Sequence, residues 1–273
     1  MPGLRRLLIT LTAAALCLVA STAHAAITVY PDSMAATGAS ATRAAGTCEG
    51  GGNGCPENSW ATGTNLTVNS IYLRIRAVHP AIEGRVWNDA VGGERMDDLA
   101  DQFEVTIEHR AQLVIVDMGG NDVCRPEEGQ VTTPESFRAD FEGAMDLLLE
   151  RRPYTRIAVV SIPSMYHLWS ILHTNPTAVE TWNRNGTCQS MLANPTSTAR
   201  ADVERRERVN LRERELNAVL DSVCATYTNC RYDGGAAFEF AFEPADVGRD
   251  YFHPSLTGQA TIAAALWELP WEF

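Results

Sequence analysis

The chain has 273 residues, 45% of them hydrophobic, which is enough for one sizeable core. Its 34 acidic residues outnumber 22 basic ones, for a formal net charge of -12, and every basic residue other than histidine is an arginine. This balance argues against nucleic acid and anionic bilayers as partners, and leaves open a neutral ester or a lipid entering an apolar cleft.

Arg5 and Arg6 precede the apolar run Leu7 to Ala20, and Ala23-His24-Ala25 fits a small-residue cleavage site. Residues 1–25 therefore read as a secretory signal peptide, and residues 26–273 as one domain. No other stretch is apolar for long enough to span a bilayer, so no stable membrane insertion is expected after cleavage. Six cysteines remain in the mature part: Cys48, Cys55, Cys124, Cys188, Cys224 and Cys230. An even number in an exported chain reads as disulfides. Sequential pairing is favoured because the first and last pairs are close in the chain. No spacing resembles a zinc module, and neither metal nor cofactor is expected.

Ile27 to Tyr30 is β-prone and reads as a buried strand ending at Asp32-Ser33. A Gly-rich loop from Gly38 to about Thr64 follows, pinned by Cys48 and Cys55. Ile71, Ile75 and Val78 fall on one helical face, with Thr67 or Asn69 as cap and Pro80 as terminator. Gly84 to Asn88 reads as a second strand. Met96 to His109 is helical, and Leu113 to Val116 suits a central parallel strand. Thr133 and Pro134 open a further helix, Ile157 to Ile162 is a strand, and 165–195 reads as mixed helix and loop forming a substrate wall. Asp202 to Cys224 is a long helix with a charged first half. Phe238 to Ala241 reads as a last strand, and Pro254 to Leu269 as a turn and a helix. Strands alternating with helices predict a three-layer α/β domain with a mainly parallel sheet. Ligands of such sheets gather beyond the carboxyl ends of the strands.

A serine hydroxyl needs a base to accept its proton, and that base needs a carboxylate on its far nitrogen. Asp250 and His253 stand three apart, so one turn brings both side chains to one side, and Ser33 is the candidate nucleophile. Gly93 and Asn121 are candidate oxyanion donors, because a strand-end glycine exposes its N–H and asparagine adds an amide. Each feature alone also fits a bland role: Ser33 as a helix cap, His253 as a satisfied loop histidine, and the glycines and asparagine as turn residues. The Gly-x-Ser-x-Gly elbow is absent.

Together these stretches resemble the SGNH, or GDSL-type, hydrolase family. Pro31-Asp32-Ser33 is similar to its first block, with proline where the family has glycine. Asn88 to Gly93, Gly119-Gly120-Asn121-Asp122 and Asp250-Tyr251-Phe252-His253-Pro254 resemble the other three. Ser59-Trp60-Ala61-Thr62-Gly63 and the run to Cys124 are most similar to the secreted branch of phospholipase B-like and bacterial extracellular lipases. The resemblance implies a flavodoxin-like α/β/α fold, ester hydrolysis without metal, a Ser33–His253–Asp250 triad, and an oxyanion hole of Ser33, Gly93 and Asn121.

The expected activity is that of a secreted lipase or esterase on a small-molecule or lipid ester, acting as a monomer. Met34, Tyr166, Leu168, Trp169 and Trp182 are candidates for an apolar substrate wall. A carbohydrate O-deacetylase of the same family, with a wetter groove, is the alternative. A secreted binding protein on a spent scaffold is the third reading, for which Pro31 is the best support.

Overall fold

The structure is a computed structural model that describes residues 30–48, 54–269 and 271. The predicted signal peptide and Ile27 to Val29 lie outside the described residues. Five strands form one parallel sheet in the order β2-β1-β3-β4-β5: β1 Met34–Gly38, β2 Val86–Asn88, β3 Leu113–Asp117, β4 Arg156–Val159 and β5 Cys230–Tyr232. Among the described residues ten α-helices connect and cover them: α1 Ile71–Val78, α2 Leu99–His109, α3 Gly120–Val123, α4 Pro134–Arg151, α5 Met165–Leu172, α6 Pro176–Asn185, α7 Gln189–Leu192, α8 Arg200–Cys224, α9 Ala236–Glu239 and α10 Leu256–Trp267.

Strand alternation sorts the core into two layers. Ala35, Val114, Val116, Ile157 and Val159 face α2, α4 and α8, where Phe103, Phe137, Phe141, Leu216 and Leu220 are buried. Met34, Ala36, Leu113 and Ile115 face the other way, onto Ile71 and Ile75 of α1 and Ala263 and Leu266 of α10. Covered on both faces, the sheet makes the α/β/α architecture expected from the alternation of elements. Among the described residues no helix is long and apolar enough to cross a membrane.

The first strand differs from expectation. It begins at Met34, beyond the Asp32-Ser33 pair, and consists of Met-Ala-Ala-Thr-Gly. All five residues are buried, but the small side chains give little of the bulky apolar signal of a central strand. Phe238 to Ala241 is also not a strand. Gly234 and Gly235 take positive φ values of 68° and 87°, and the Asp233 carboxylate accepts from the N–H groups of Gly235 and Ala237. That turn starts the short helix α9 instead, and the last strand is β5. The cap of α1 is Ser70, whose Oγ accepts from Leu73 N, rather than Thr67 or Asn69. Thr133 caps α4 as predicted, accepting from Ser136 N.

The cysteines pair sequentially: Cys48–Cys55, Cys124–Cys188 and Cys224–Cys230. The second bridge spans 64 residues and ties the chain just after α3 to the link between α6 and α7.

The chain moves from β1 to β2 on one side and then back to β3 on the other. The carboxyl ends of β1 and β3 therefore flank the point where strand order reverses, which is where parallel sheets hold ligands. Ser40 follows β1 and Asn121 follows β3.

Candidate active site

The backbone leaves β1 through Gly38, at φ 154°. A Cβ there would stand 2.2 Å from Thr42 Oγ1 and 2.7 Å from Asp117 O, so only glycine fits. Gln102 clamps this residue from α2: its Oε1 accepts from Gly38 N and its Nε2 donates to Gly38 O, both at 2.8 Å. The next residues turn tightly, with Ala45 N donating to Ser40 O and Arg43 N to Ala39 O. This turn points the Ser40 hydroxyl out at the rim of the sheet.

At the other end of the chain, a loop brings up the base. His253 Nε2 lies 2.7 Å from Ser40 Oγ, and His253 Nδ1 lies 2.6 Å from Asp250 Oδ2. The tautomer that satisfies both contacts carries its proton on Nδ1 and accepts from the serine at Nε2. The other carboxylate oxygen of Asp250 accepts from the N–H groups of Phe252 and His253, each at 3.0 Å. Burial pushes the Asp250 carboxyl upward, but the His253 ring and the two backbone donors outweigh it and hold the group below the usual carboxylate range.

Three further contacts hold the histidine loop. Tyr251 sits at φ 57°, and its carbonyl accepts from Trp182 Nε1 at 2.9 Å. Gly248 N donates to His253 O at 2.7 Å. Gly46, at φ 81°, lies so close that a Cβ would stand 2.9 Å from His253 Cβ.

Ser33 is not part of this assembly. It sits at the amino end of β1, where its Oγ accepts from Gln112 N at 3.0 Å. Five strand residues at about 3.3 Å each separate it by roughly 17 Å from the rim that carries Ser40. Its neighbour Asp32 pairs with His79 Nε2 at 2.7 Å. That hydrogen bond holds the Asp32 carboxyl below its ordinary value. The proline at position 31 precedes β1 at the same amino end. Gly38-Ala39-Ser40 has a glycine two residues before its serine, with alanine between. The sequence signal for it was present: a glycine, one small residue and a serine follow a buried run. The Asp-Ser pair seven residues earlier drew the reading away.

The expected oxyanion donors Asn121 and Gly93 lie near Ser40 rather than Ser33. Both line a cleft shared with Ser40 and His253. Asn121 Nδ2 donates one hydrogen to Glu94 O at 2.8 Å, which orients the amide and leaves its second N–H for another acceptor. Gly93 takes φ 90°. Behind them Asp122 is buried, accepting from Met96 N at 3.0 Å and from Thr132 Oγ1 at 2.8 Å. Burial pushes its carboxyl up to about 6.

Two openings meet at the serine. One is an apolar cavity of about 140 Å³, lined by Trp60, Leu168, Phe240, Ile262 and Leu266 among others, with Ser40 and His253 at its mouth. Asp117 also borders it, accepting from Thr42 Oγ1 at 2.7 Å; burial pushes this carboxyl up to about 6. The other is the wider cleft, of about 1010 Å³, on the side of Gly93, Arg43 and Arg249.

Of the five expected wall residues, Leu168 alone borders the cavity. Met34 and Trp182 are fully buried in the core, and the Trp182 indole props the histidine loop. Tyr166 packs on Trp169, and Trp169 turns away to donate to Pro195 O and to stack under Arg206. A positioning residue that sequence reasoning missed is Gln259 on α10. Fully buried, it accepts from Trp60 N at 2.8 Å and donates to Ala41 O at 3.0 Å, joining the cavity wall to the Ser40 turn. Among the described residues, no three His, Cys, Asp or Glu side chains are grouped so as to hold a metal ion.

Comparison with known proteins gives one family. Residues 32–261 match the model of the GDSL-like Lipase/Acylhydrolase family. Among solved structures, a protein described as a GDSL-like lipase from Parabacteroides merdae superposes with a TM-score of 0.54 at 13% identity, covering 88% of this chain and 96% of its own. An extracellular lipase from Streptomyces rimosus aligns at 15% identity and a TM-score of 0.48, covering 86% and 97%. No curated protein sequence matches the chain.

Proposed function

Because the chain belongs to the GDSL-like lipase/acylhydrolase family, we propose that it is a secreted serine esterase with Ser40, His253 and Asp250 as its triad. The observation that carries this is the unbroken hydrogen-bond line from Asp250 through His253 to Ser40 at the mouth of an apolar cavity. In the first step His253 Nε2 takes the Ser40 proton as Oγ attacks the ester carbonyl. Asp250 holds the imidazole and stabilises the imidazolium. The Ser40 N–H, the Gly93 N–H and the free hydrogen of the Asn121 amide receive the oxyanion. His253 then protonates the leaving alcohol, and a water activated by the same histidine releases the acid.

The cavity supports an acyl chain longer than acetyl. At about 140 Å³ it approaches the roughly 150 Å³ apolar cavity that takes up benzene, so it suits a tail of about six carbons. Secretion is supported by the three disulfides, which persist in oxidising compartments, and by the leader-like first 25 residues.

The test is hydrolysis of p-nitrophenyl esters from acetyl to palmitoyl by the disulfide-intact protein, with Ser40→Ala as control. A medium-chain optimum that vanishes in the variant is the expected result. An acetyl optimum favours the carbohydrate deacetylase reading. Folded protein with no turnover on any ester refutes the esterase.

A further inference from the structure

An ester placed with its acyl tail in the apolar cavity directs its alcohol half the other way, into the wide cleft. That cleft is lined by Arg43 and Arg249. Among the described residues its one lining carboxylate is Asp250, whose two oxygens are taken up by His253 and by the backbone of 252 and 253. Among the described residues the uncompensated charge facing the alcohol half is therefore positive, in a chain whose net charge is -12.

The two arginines are held differently. Arg43 is half-buried and its Nη1 donates to Ala90 O at 3.0 Å. This fixes the guanidinium against the loop that continues to Gly93. Arg249 is exposed, and its guanidinium makes no hydrogen bond or ion pair among the described residues, whereas Arg205, Arg208 and Arg212 on α8 each grip a carboxylate. One fixed and one free guanidinium lining the same cleft suit an anionic group entering it.

Building on the esterase reading, we propose that Arg43 and Arg249 form a subsite for a negatively charged alcohol half, so that the preferred substrates are medium-chain esters of phosphate- or carboxylate-bearing alcohols. Long-range repulsion by the acidic surface does not oppose this, because charges beyond about 8–10 Å are largely screened at physiological salt. At close contact the same acidic surface disfavours a whole anionic bilayer, so the probes are dispersed molecules.

The experiment compares kcat/KM for the hexanoyl esters of glycerol, glycerol 3-phosphate and glyceric acid, all dispersed as monomers, with released hexanoate as the readout. The acyl group is constant, so differences report the alcohol half. Expected is a preference of roughly tenfold for at least one anionic ester over the glycerol ester, the size of a charge-assisted contact. The more favoured of the two identifies phosphate or carboxylate. Raising ionic strength reduces the preference, Arg249→Gln weakens it and Arg249→Glu inverts it. Equal kcat/KM for the three esters with Ser40-dependent hydrolysis intact overturns the subsite and leaves the esterase standing. So does a preference that survives Arg249→Glu.

Binding of hexanoyl glycerol 3-phosphate to the Ser40→Ala protein by calorimetry, against hexanoyl glycerol, reads the subsite without turnover. It tests the subsite even where the arginine variants misfold. Failure of hydrolysis on every ester, by contrast, strikes the esterase reading itself.

Discussion

Replacing each of two serines with alanine separates the two ends of β1. Ser40→Ala removes the hydroxyl 2.7 Å from His253 Nε2. Where Ser, His and Asp act as a unit, loss of the nucleophile costs on the order of 10⁶ in kcat. The fold has little stake in that hydroxyl, which sits at a partly open rim, so the melting temperature stays nearly constant. Ser33→Ala does the reverse. It strips the acceptor from Gln112 N at 3.0 Å in a buried position. Losing such a bond costs about 1 kcal/mol, which in a chain of this size lowers Tm by roughly 2–4 °C. Its kcat and KM on p-nitrophenyl hexanoate remain those of the parent. Both variants are assayed on that ester, with near-ultraviolet circular dichroism to establish the fold. A folded Ser33→Ala protein that has lost turnover, beside an active Ser40→Ala, refutes the assignment of the nucleophile and with it the reading of β1.

Other perturbations reach the neighbouring groups. Asp250→Asn keeps the size of the side chain but favours the wrong imidazole tautomer, and steady-state assays at neutral pH should show kcat down about 10⁴-fold. Glu213 is fully buried on α8 and accepts from Met165 N; burial pushes its carboxyl up to about 8 from an ordinary 4.5. The folded chain thus holds this proton more tightly than the unfolded one. Its contribution is fully present below about pH 4.5 and is lost as pH rises through 8. Melting curves from pH 5 to 9 should therefore fall less steeply for Glu213→Gln than for the parent. Cys188→Ser with Cys124→Ser opens the bridge spanning 64 residues. Chemical denaturation should show a loss of roughly 4 kcal/mol, more than for opening either of the two short-range bridges.

The features legible in the sequence are those whose chemistry is local. Asp250 and His253 stand three apart, and the turn that joins them is made by the same few residues. Gly119 to Asp122 closes a run of bulky β-branched residues, so the strand and its functional end are read together. Thr133-Pro134 announces α4 by its own cap. Ser40 was hidden because the strand before it, Met34 to Gly38, is apolar without bulk; its burial comes from β2, β3 and two helix layers, all distant in sequence. Tyr30 and the β-prone residues before it carried the stronger local pattern and shifted the frame by one strand. The Phe-Glu-Phe-Ala alternation at 238–241 misled in the same way. There the competing signal was the Asp233-Gly234-Gly235 turn, whose capping bonds begin a helix. Trp182 was read as substrate wall because aromatic bulk alone does not tell a cavity lining from a core prop.

Ser40 and His253 are separated by 213 residues, and Gln259, which braces the serine turn, lies later still. The proposed nucleophile lies near the start of the described residues and its proposed base near their end. On this assignment, a chain truncated before His253 carries the serine with no proton acceptor beside it, and such a fragment should show no ester hydrolysis. Turnover then serves as a gauge of α10 docking: each active molecule is one in which Gln259 has reached the serine turn.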